Sequence, residues 1–194
     1  MTGRFFAAMA VGCLLARVGV GLEHCGTERW DVKTLQDPLA GSIDFKPVAA
    51  TIKDLTAIKA PPKIADDARR GFEFPYEISQ EFHVYEVVAT VSCAKVEADR
   101  DVHLCLKDGE AHMIAESPDP RCVSLKSPYV HDLAAARLKL LALLPGKNLA
   151  HVKALVGKRV RVRGVGFVDK LHGQQGVAPN GMELHPLLGI EAVR

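Results

Sequence analysis

Aromatic residues are scarce in this chain, with one tryptophan, three tyrosines and seven phenylalanines among 194 residues. Few of them interleave with its arginines, which argues against a stacking platform for single-stranded nucleic acid. An excess of either charge is also missing, since 25 lysines and arginines face 23 aspartates and glutamates. Such a balance does not steer polyanions toward the protein as a whole, so any phosphate contact has to come from a local patch. The five cysteines contain no Cys-x-x-Cys pair, which removes the usual signature of a zinc knuckle or a thioredoxin-like redox site. Beyond residue 22 no run approaches the roughly 20 apolar residues of a bilayer-spanning helix, so no transmembrane span is expected in the mature chain. Low-complexity tracts are absent, and an apolar content of 48% suffices for one sizeable core.

What is present begins with "MTGRFFAAMAVGCLLARVGVG". Arg4, an apolar run through Leu15 and small residues beyond it form the layout of a secretory signal peptide, with Arg17 as its departure from the pattern. This predicts residues 1–22 as a removed signal peptide and the protein as exported, periplasmic or extracellular. An amphipathic N-terminal helix, a retained anchor and lipid attachment at Cys13 are the alternatives. Without those residues four cysteines remain, Cys25, Cys93, Cys105 and Cys122. An even number in an exported chain predicts disulfides. Three pairings are open, and the preferred one joins Cys25 to Cys122, tethering the N-terminal segment to the core.

Residues 23–75 read as an irregular, disulfide-tethered arm, broken by "DPLAG", "KP", "APPK" and "DDARRG". Within it, Trp30–Thr34 suggests a short strand and Thr51–Ile58 a short helix. Residues 76–194 read as the folded domain. "ISQEFHVYEVVATVSCAKV" predicts one long bent strand over Ile78–Val96, and "VHLCLKDGEAHMIAES" a hairpin turning at Asp108-Gly109. Ser127 and Pro128 open an amphipathic helix that ends at Pro145-Gly146, and Asn148 caps a shorter helix to Val156. In "KRVRVRGVGFVD" the arginines at 159, 161 and 163 alternate with Val160 and Val162, the pattern of a strand with one wet face. A last strand is expected over Met182–His185. Three strands, a helix and two strands make a mainly β domain, an OB-fold-like five-stranded barrel. Another small mixed barrel, or a half-open sheet with the helix across its end, is the competing architecture.

In an OB-fold the loops after the first and fourth strands form the binding edge. Here those are "VEADRD" and the segment Asp169–Gly181, so Asp99, Arg100, Asp101 and His103 are expected to approach His172, Gln174, Gln175 and Asn180. Glu183 and His185 lie two apart on a strand and share a face. His103, Asp169, His172, Glu183 and His185 are candidate ligands for a divalent metal, since imidazole nitrogen and carboxylate oxygen are common metal donors. His103, Glu116, His172, Glu183 and His185 are candidate acid and base groups. Asp101, Gln174, Asn180 and the ridge Arg159, Arg161 and Arg163 are candidate ligand contacts. Glu116 faces either the cleft or water, and Asp119 is expected to face water. Against these stand plainer roles: turn glycines, amides capping backbone groups, and arginines on a solvent face.

The stretches "CGTERWDVKTL", "DVHLCLKD", "MIAESPDPRC" and "GVGFVDKLHGQQGVAPNGMELHPLLGI" together resemble a family of small exported bacterial proteins with the C-terminal motif HGQxGVAPNxxELHPxL. The resemblance implies an exported OB-like domain and marks Asp101, His103, Glu116, Asp169, His172, Asn180, Glu183 and His185 as recurring polar positions. It implies no particular activity. Two functions are therefore expected in competition. One is a binding module, monomeric or a small homo-oligomer, recognising a nucleic-acid, glycan or protein ligand with those two loops. The other is a metal-dependent hydrolase, of the phosphodiesterase or nuclease kind, built on the His/Glu/Asp cluster. A scaffold protein of the cell envelope is a third, plainer option.

Overall fold

The structure, a computed structural model, describes residues 25–59 and 79–193. The expected signal peptide lies outside the described residues. Six strands and three short α-helices follow in order: α1 (Trp30–Lys33), β1 (Asp44–Ala49), α2 (Ile52–Ala57), β2 (His83–Val96), β3 (Val102–Asp108), β4 (Ala111–Ser117), α3 (Val130–Ala142), β5 (Arg159–Val168) and β6 (Met182–Ala192).

Strand β2 is long enough to belong to two sides of a barrel. Its first half pairs antiparallel with β5, from Val84↔Val165 to Thr90↔Arg159, and its second half pairs with β3, from Thr90↔Lys107 to Val96↔Val102. A register shift between Val91 and Cys93 lets the strand bend between the two partners. β3 and β4 form the expected hairpin, with Gly109 at φ +58° in its turn. β4 then pairs parallel with β6, and β6 antiparallel with β5. The ring β2-β3-β4-β6-β5 closes through the β2–β5 pairing, and the parallel step from β4 to β6 is made by way of α3 and β5. This closed mixed barrel is the OB-fold arrangement read from the sequence.

The barrel interior is filled by the inward residues of the five ring strands, among them Val87, Val91, Leu104, Leu106, Met113, Val160, Val162, Leu184 and Ile190. Leu140 from α3, Ile52 and Leu55 from α2, and Val152 and Leu155 from the 3-10 helix Leu149–Leu155 join the same cluster. A second cluster forms where the arm meets α3, with Leu35, Ile43, Val84, Val123, Leu133 and Val165.

Several expectations are corrected in detail. Trp30–Thr34 is helical, not a strand. Arg29 enters at φ 48°, Thr34 Oγ1 donates to the Trp30 carbonyl, and only Val32 of the four helical residues is buried. One buried side chain in four residues is too few to fill a strand face. The arm is less irregular than its punctuation implies, because β1 pairs parallel with β2 outside the ring. All six β1 residues are exposed, so the burial alternation by which a strand announces itself is missing. The last strand runs on past His185 to Ala192. Ser127 does not cap α3 directly: its hydroxyl accepts from Tyr129 N, and Tyr129 holds the cap position. Asn148 does cap its short helix, accepting from Ala150 N.

Two disulfides close the frame. Cys25–Cys122 ties the start of the described chain to the segment after β4, and Cys93–Cys105 staples β2 to β3. No helix among the described residues is long and apolar enough to cross a membrane.

Candidate functional site

Strand register assembles the site on the outer face of the barrel. On β3, Val102, Leu104 and Leu106 point into the core, which leaves His103 and Cys105 on the other side. His103 pairs directly with Glu116 on β4, and next to it Ile114 pairs with Glu183 on β6. His185 lies two residues on from Glu183 and so returns to the same face. Four polar side chains from three neighbouring strands thus converge, and only Glu183 and His185 share a local motif.

They are linked in a chain. His103 Nδ1 is 2.6 Å from Glu116 Oε1, and its Nε2 is 2.8 Å from the carbonyl oxygen of Gln175. A carbonyl can only accept, so Nε2 carries a proton. Burial works against the ionised form of Glu116, but the hydrogen bond to His103 and the nearness of His185 overcome it and hold the carboxyl well below its usual range. His103 Nδ1 thus faces the Glu116 carboxylate across a short hydrogen bond. The His103 pKa is raised, the Glu116 partner outweighing the burial that opposes it. The other carboxylate oxygen of Glu116 lies 3.2 Å from His185 Nδ1, and His185 Nε2 lies 3.6 Å from Asp101 Oδ2. Asp101 Oδ1 accepts from Asp119 N.

Asp101 and His185 are each 1% exposed, and burial disfavours the charged form of both. It lowers the pKa of His185 and, with Asp99 and Glu116 close by, pushes that of Asp101 up to about 8. Glu183 is likewise raised, by burial and then by Glu116 and Asp169.

Above this floor lies a cleft of about 450 Å³ bounded by both strand-connecting loops and by the arm. Glu28, Glu97, Asp99, Glu116, Asp169 and Glu183 line it, with Lys33, His103, His172, Gln174 and Trp30. At the rim Lys95 pairs with Glu97 and Lys170 with Glu28, yet acceptor oxygens still dominate the lining. Gly26 has no room for a side chain, because a Cβ there would run into the Trp30 ring and approach the Asp99 carboxylate. Gly176, at φ +81°, brings the β5–β6 loop so close to Cys105 that a Cβ would overlap its sulfur.

The arm is fixed over the site by charge. Arg29 makes a bidentate pair with Glu81 at 2.9 and 2.8 Å, fully buried, and also donates to the Val168 carbonyl. Glu81 in turn accepts from Val168 N. One helical turn on, Lys33 lies 3.3 Å from Asp169 Oδ2, and both cations stand over the Phe167 ring at 4.5 and 5.2 Å. Burial alone would lower the Lys33 pKa, but Asp169 and Glu183 more than reverse this and keep it charged.

Of the sequence candidates, His103, Glu116, Asp169, His172, Gln174 and Glu183 line the cleft, and Asp101 and His185 lie buried behind Glu116. Asn180 is placed elsewhere, donating to the carbonyls of Leu55 and Ile58 and accepting from Met182 N. The arginine ridge lies on β5 between β2 and β6. There Arg161 meets Glu86 and Glu191, and Arg163 meets Glu86. Asp119 does not face water: it is 4% exposed, and its carboxylate accepts from Arg121, which is itself exposed. Glu97, Trp30, Lys33 and Arg137 are additions. Arg137 from α3 donates to the carbonyls of Ser117 and Arg100, bracing the ends of the strands that carry Glu116 and Asp101. The i, i+4 spacing of Arg29 and Lys33 was the available signal for the arm's contribution.

The fold and this face define an OB-fold domain with a covered polar cleft. No protein-family model and no curated protein matches the sequence. Among solved structures the chain is similar to a chain assigned as an aspartyl-tRNA synthetase from Leishmania major Friedlin, at 11% identity and a TM-score of 0.44 over 76% of this chain and 21% of that one. It is also similar to an aspartyl tRNA synthetase from Entamoeba histolytica, at 12% identity and a TM-score of 0.36 over 57% of this chain and 18% of that one. The chain spans about a fifth of the length of these proteins.

Proposed function

We propose that this domain is an exported binding module whose cleft, between the β2–β3 and β5–β6 loops, recognises a hydroxyl-rich ligand of the oligosaccharide class. The observation that carries the reading is the lining: carboxylate acceptors and an amide beside an indole, on the edge where OB-folds take oligonucleotides and oligosaccharides. Carboxylates accept from sugar hydroxyls but repel phosphates, and Trp30 offers an apolar plate for a sugar ring. Of the three ligand classes expected from the sequence, this chemistry favours the glycan over the nucleic acid. The arginine ridge lies outside the cleft and is already matched by Glu86 and Glu191, which weakens the case for phosphate. Two disulfides support the exported reading. Titration with neutral and amino-sugar oligosaccharides tests the proposal. Binding is expected for these and not for oligonucleotides of equal length, and Trp30→Ala is expected to weaken it at least about tenfold. Oligonucleotide binding that survives Trp30→Ala, or no glycan binding at all, overturns it.

One observation favours hydrolysis as a second reading. In the same cleft Glu116 is held ionised while Glu183 is pushed toward its neutral form, the division of labour of a base and an acid. Turnover of glycoside or phosphodiester model substrates that is lost in both Glu116→Gln and Glu183→Gln would establish it, and turnover indifferent to both would remove it.

A further inference from the structure

Behind the cleft, Asp101, Glu116 and His185 form a second constellation that the ligand reading does not use. Asp101 Oδ2 and both ring nitrogens of His185 are buried without a hydrogen-bond partner, although buried polar atoms are nearly always satisfied. The His185 ring has Asp101 Oδ2 3.6 Å from Nε2 and Glu116 Oε2 3.2 Å from Nδ1, neither contact being aligned as a hydrogen bond. One donor atom from each of the three residues lies within 4.8 Å of the others.

From these unsatisfied atoms and their spacing we infer that Asp101, Glu116 and one nitrogen of His185 bind a single divalent first-row cation, zinc being the best fit. Bonds of about 2.0–2.2 Å to oxygen and nitrogen set the donors of a tetrahedral site roughly 3.3–3.6 Å apart; the three donor atoms lie within 4.8 Å of one another, so binding through one ring nitrogen draws the more distant carboxylate inward. Two carboxylates and a neutral imidazole also balance one dication once the ion displaces the Asp101 proton. The ring nitrogen that does not ligate can keep its proton for a carboxylate, the usual outer-shell support of a metal-bound histidine. Three protein donors leave a fourth position open. Two nearby sets are unsuited. His103 and Glu116 Oε1, at 2.6 Å, are too close to share an ion and form a hydrogen bond instead. Cys93 and Cys105 are spent in their disulfide.

Glu116 belongs to both the cleft and this site, so the test separates the two. The full chain is stripped with chelator and titrated with Zn²⁺ alone, followed by calorimetry and by metal analysis after gel filtration. Uptake of one equivalent is expected. Asp101→Asn and His185→Gln should each weaken it by at least about 100-fold, the upper end of what losing even an outer-shell partner does. Circular dichroism checks that both variants fold. Should either fail to, Co²⁺ in the unmodified protein serves instead, since visible bands of four-coordinate intensity report a nitrogen–oxygen site directly. No uptake by the unmodified protein overturns the proposal, as does uptake that survives Asp101→Asn and His185→Gln, or that vanishes with His172→Ala alone. Glycan binding measured with chelator present reports on the cleft alone.

Discussion

On β5, Arg161 and Arg163 meet Glu86 and Glu191 in the open, with side chains 38% and 51% exposed. Around the cleft floor and the arm, Arg29 and Glu81 are fully enclosed, and Glu116 is held between two buried histidines. Both regions pair opposite charges at hydrogen-bond distance, but water decides what each pair contributes. An exposed pair gains little, typically under about 1 kcal/mol, because solvent already screens and hydrates it. A buried pair has given up that hydration, so losing one partner strands the other. The ridge therefore behaves as surface, and the covered face as a built feature whose members depend on one another.

The comparison breaks most visibly at the arm clamp. Glu81→Ala takes both carboxylate oxygens from the buried Arg29 guanidinium, and the expected loss of stability is about 3–5 kcal/mol. Urea unfolding checks it. A loss below about 1 kcal/mol would show that the arm holds on by other contacts and that the clamp is no stronger than the ridge.

A medium effect is expected from pH, measured on chelator-treated protein. Asp101, pushed up to about 8 by burial first and then by Asp99 and Glu116, favours its neutral form when folded. Its contribution is full below the unfolded value near 3.8 and is lost as pH rises through about 8. His103 and Glu183 are also raised and act in the same direction. His185, lowered by burial, acts oppositely: its contribution is present above 6.5 and lost as pH falls. From pH 6.5 to 8, then, the urea midpoint should fall, and Asp101→Asn should make that fall shallower. A pH dependence that Asp101→Asn leaves unchanged across the window would show that Asp101 is ionised in the folded protein.

The contrast between the two regions also explains what could be read from the sequence. The ridge was legible because "RVRVR" alternates, and alternation is what a strand with one wet face imposes. The barrel followed from similar patterns in β2, the β3–β4 hairpin and α3, and the placing of Glu183 beside His185 followed from strand period alone. The rest depends on pairings that no local pattern records. That Glu116 stands opposite His103, and that β4 meets β6 in parallel, are register facts. The covering role of α1 left only the Arg29 and Lys33 spacing as a signal, because a four-residue helix is too short to show an apolar period. Asn180 looked like a site residue because it sits in the β5–β6 loop, but its amide secures the end of α2 instead.

The smallest effect should come from the ridge itself. Replacing Arg161 and Arg163 together by alanine removes the exposed pairs with Glu86 and Glu191, with an expected cost of about 1 kcal/mol or less. Because Glu86 is partly solvated, its carboxylate can be hydrated once the arginines are gone. Oligosaccharide and Zn²⁺ titrations of the double variant should match the unmodified protein, since neither arginine lines the cleft. If ligand binding instead falls with the ridge and shows a steep dependence on salt, the binding face extends over β5. Phosphate contact would then return as the better account of what this barrel recognises.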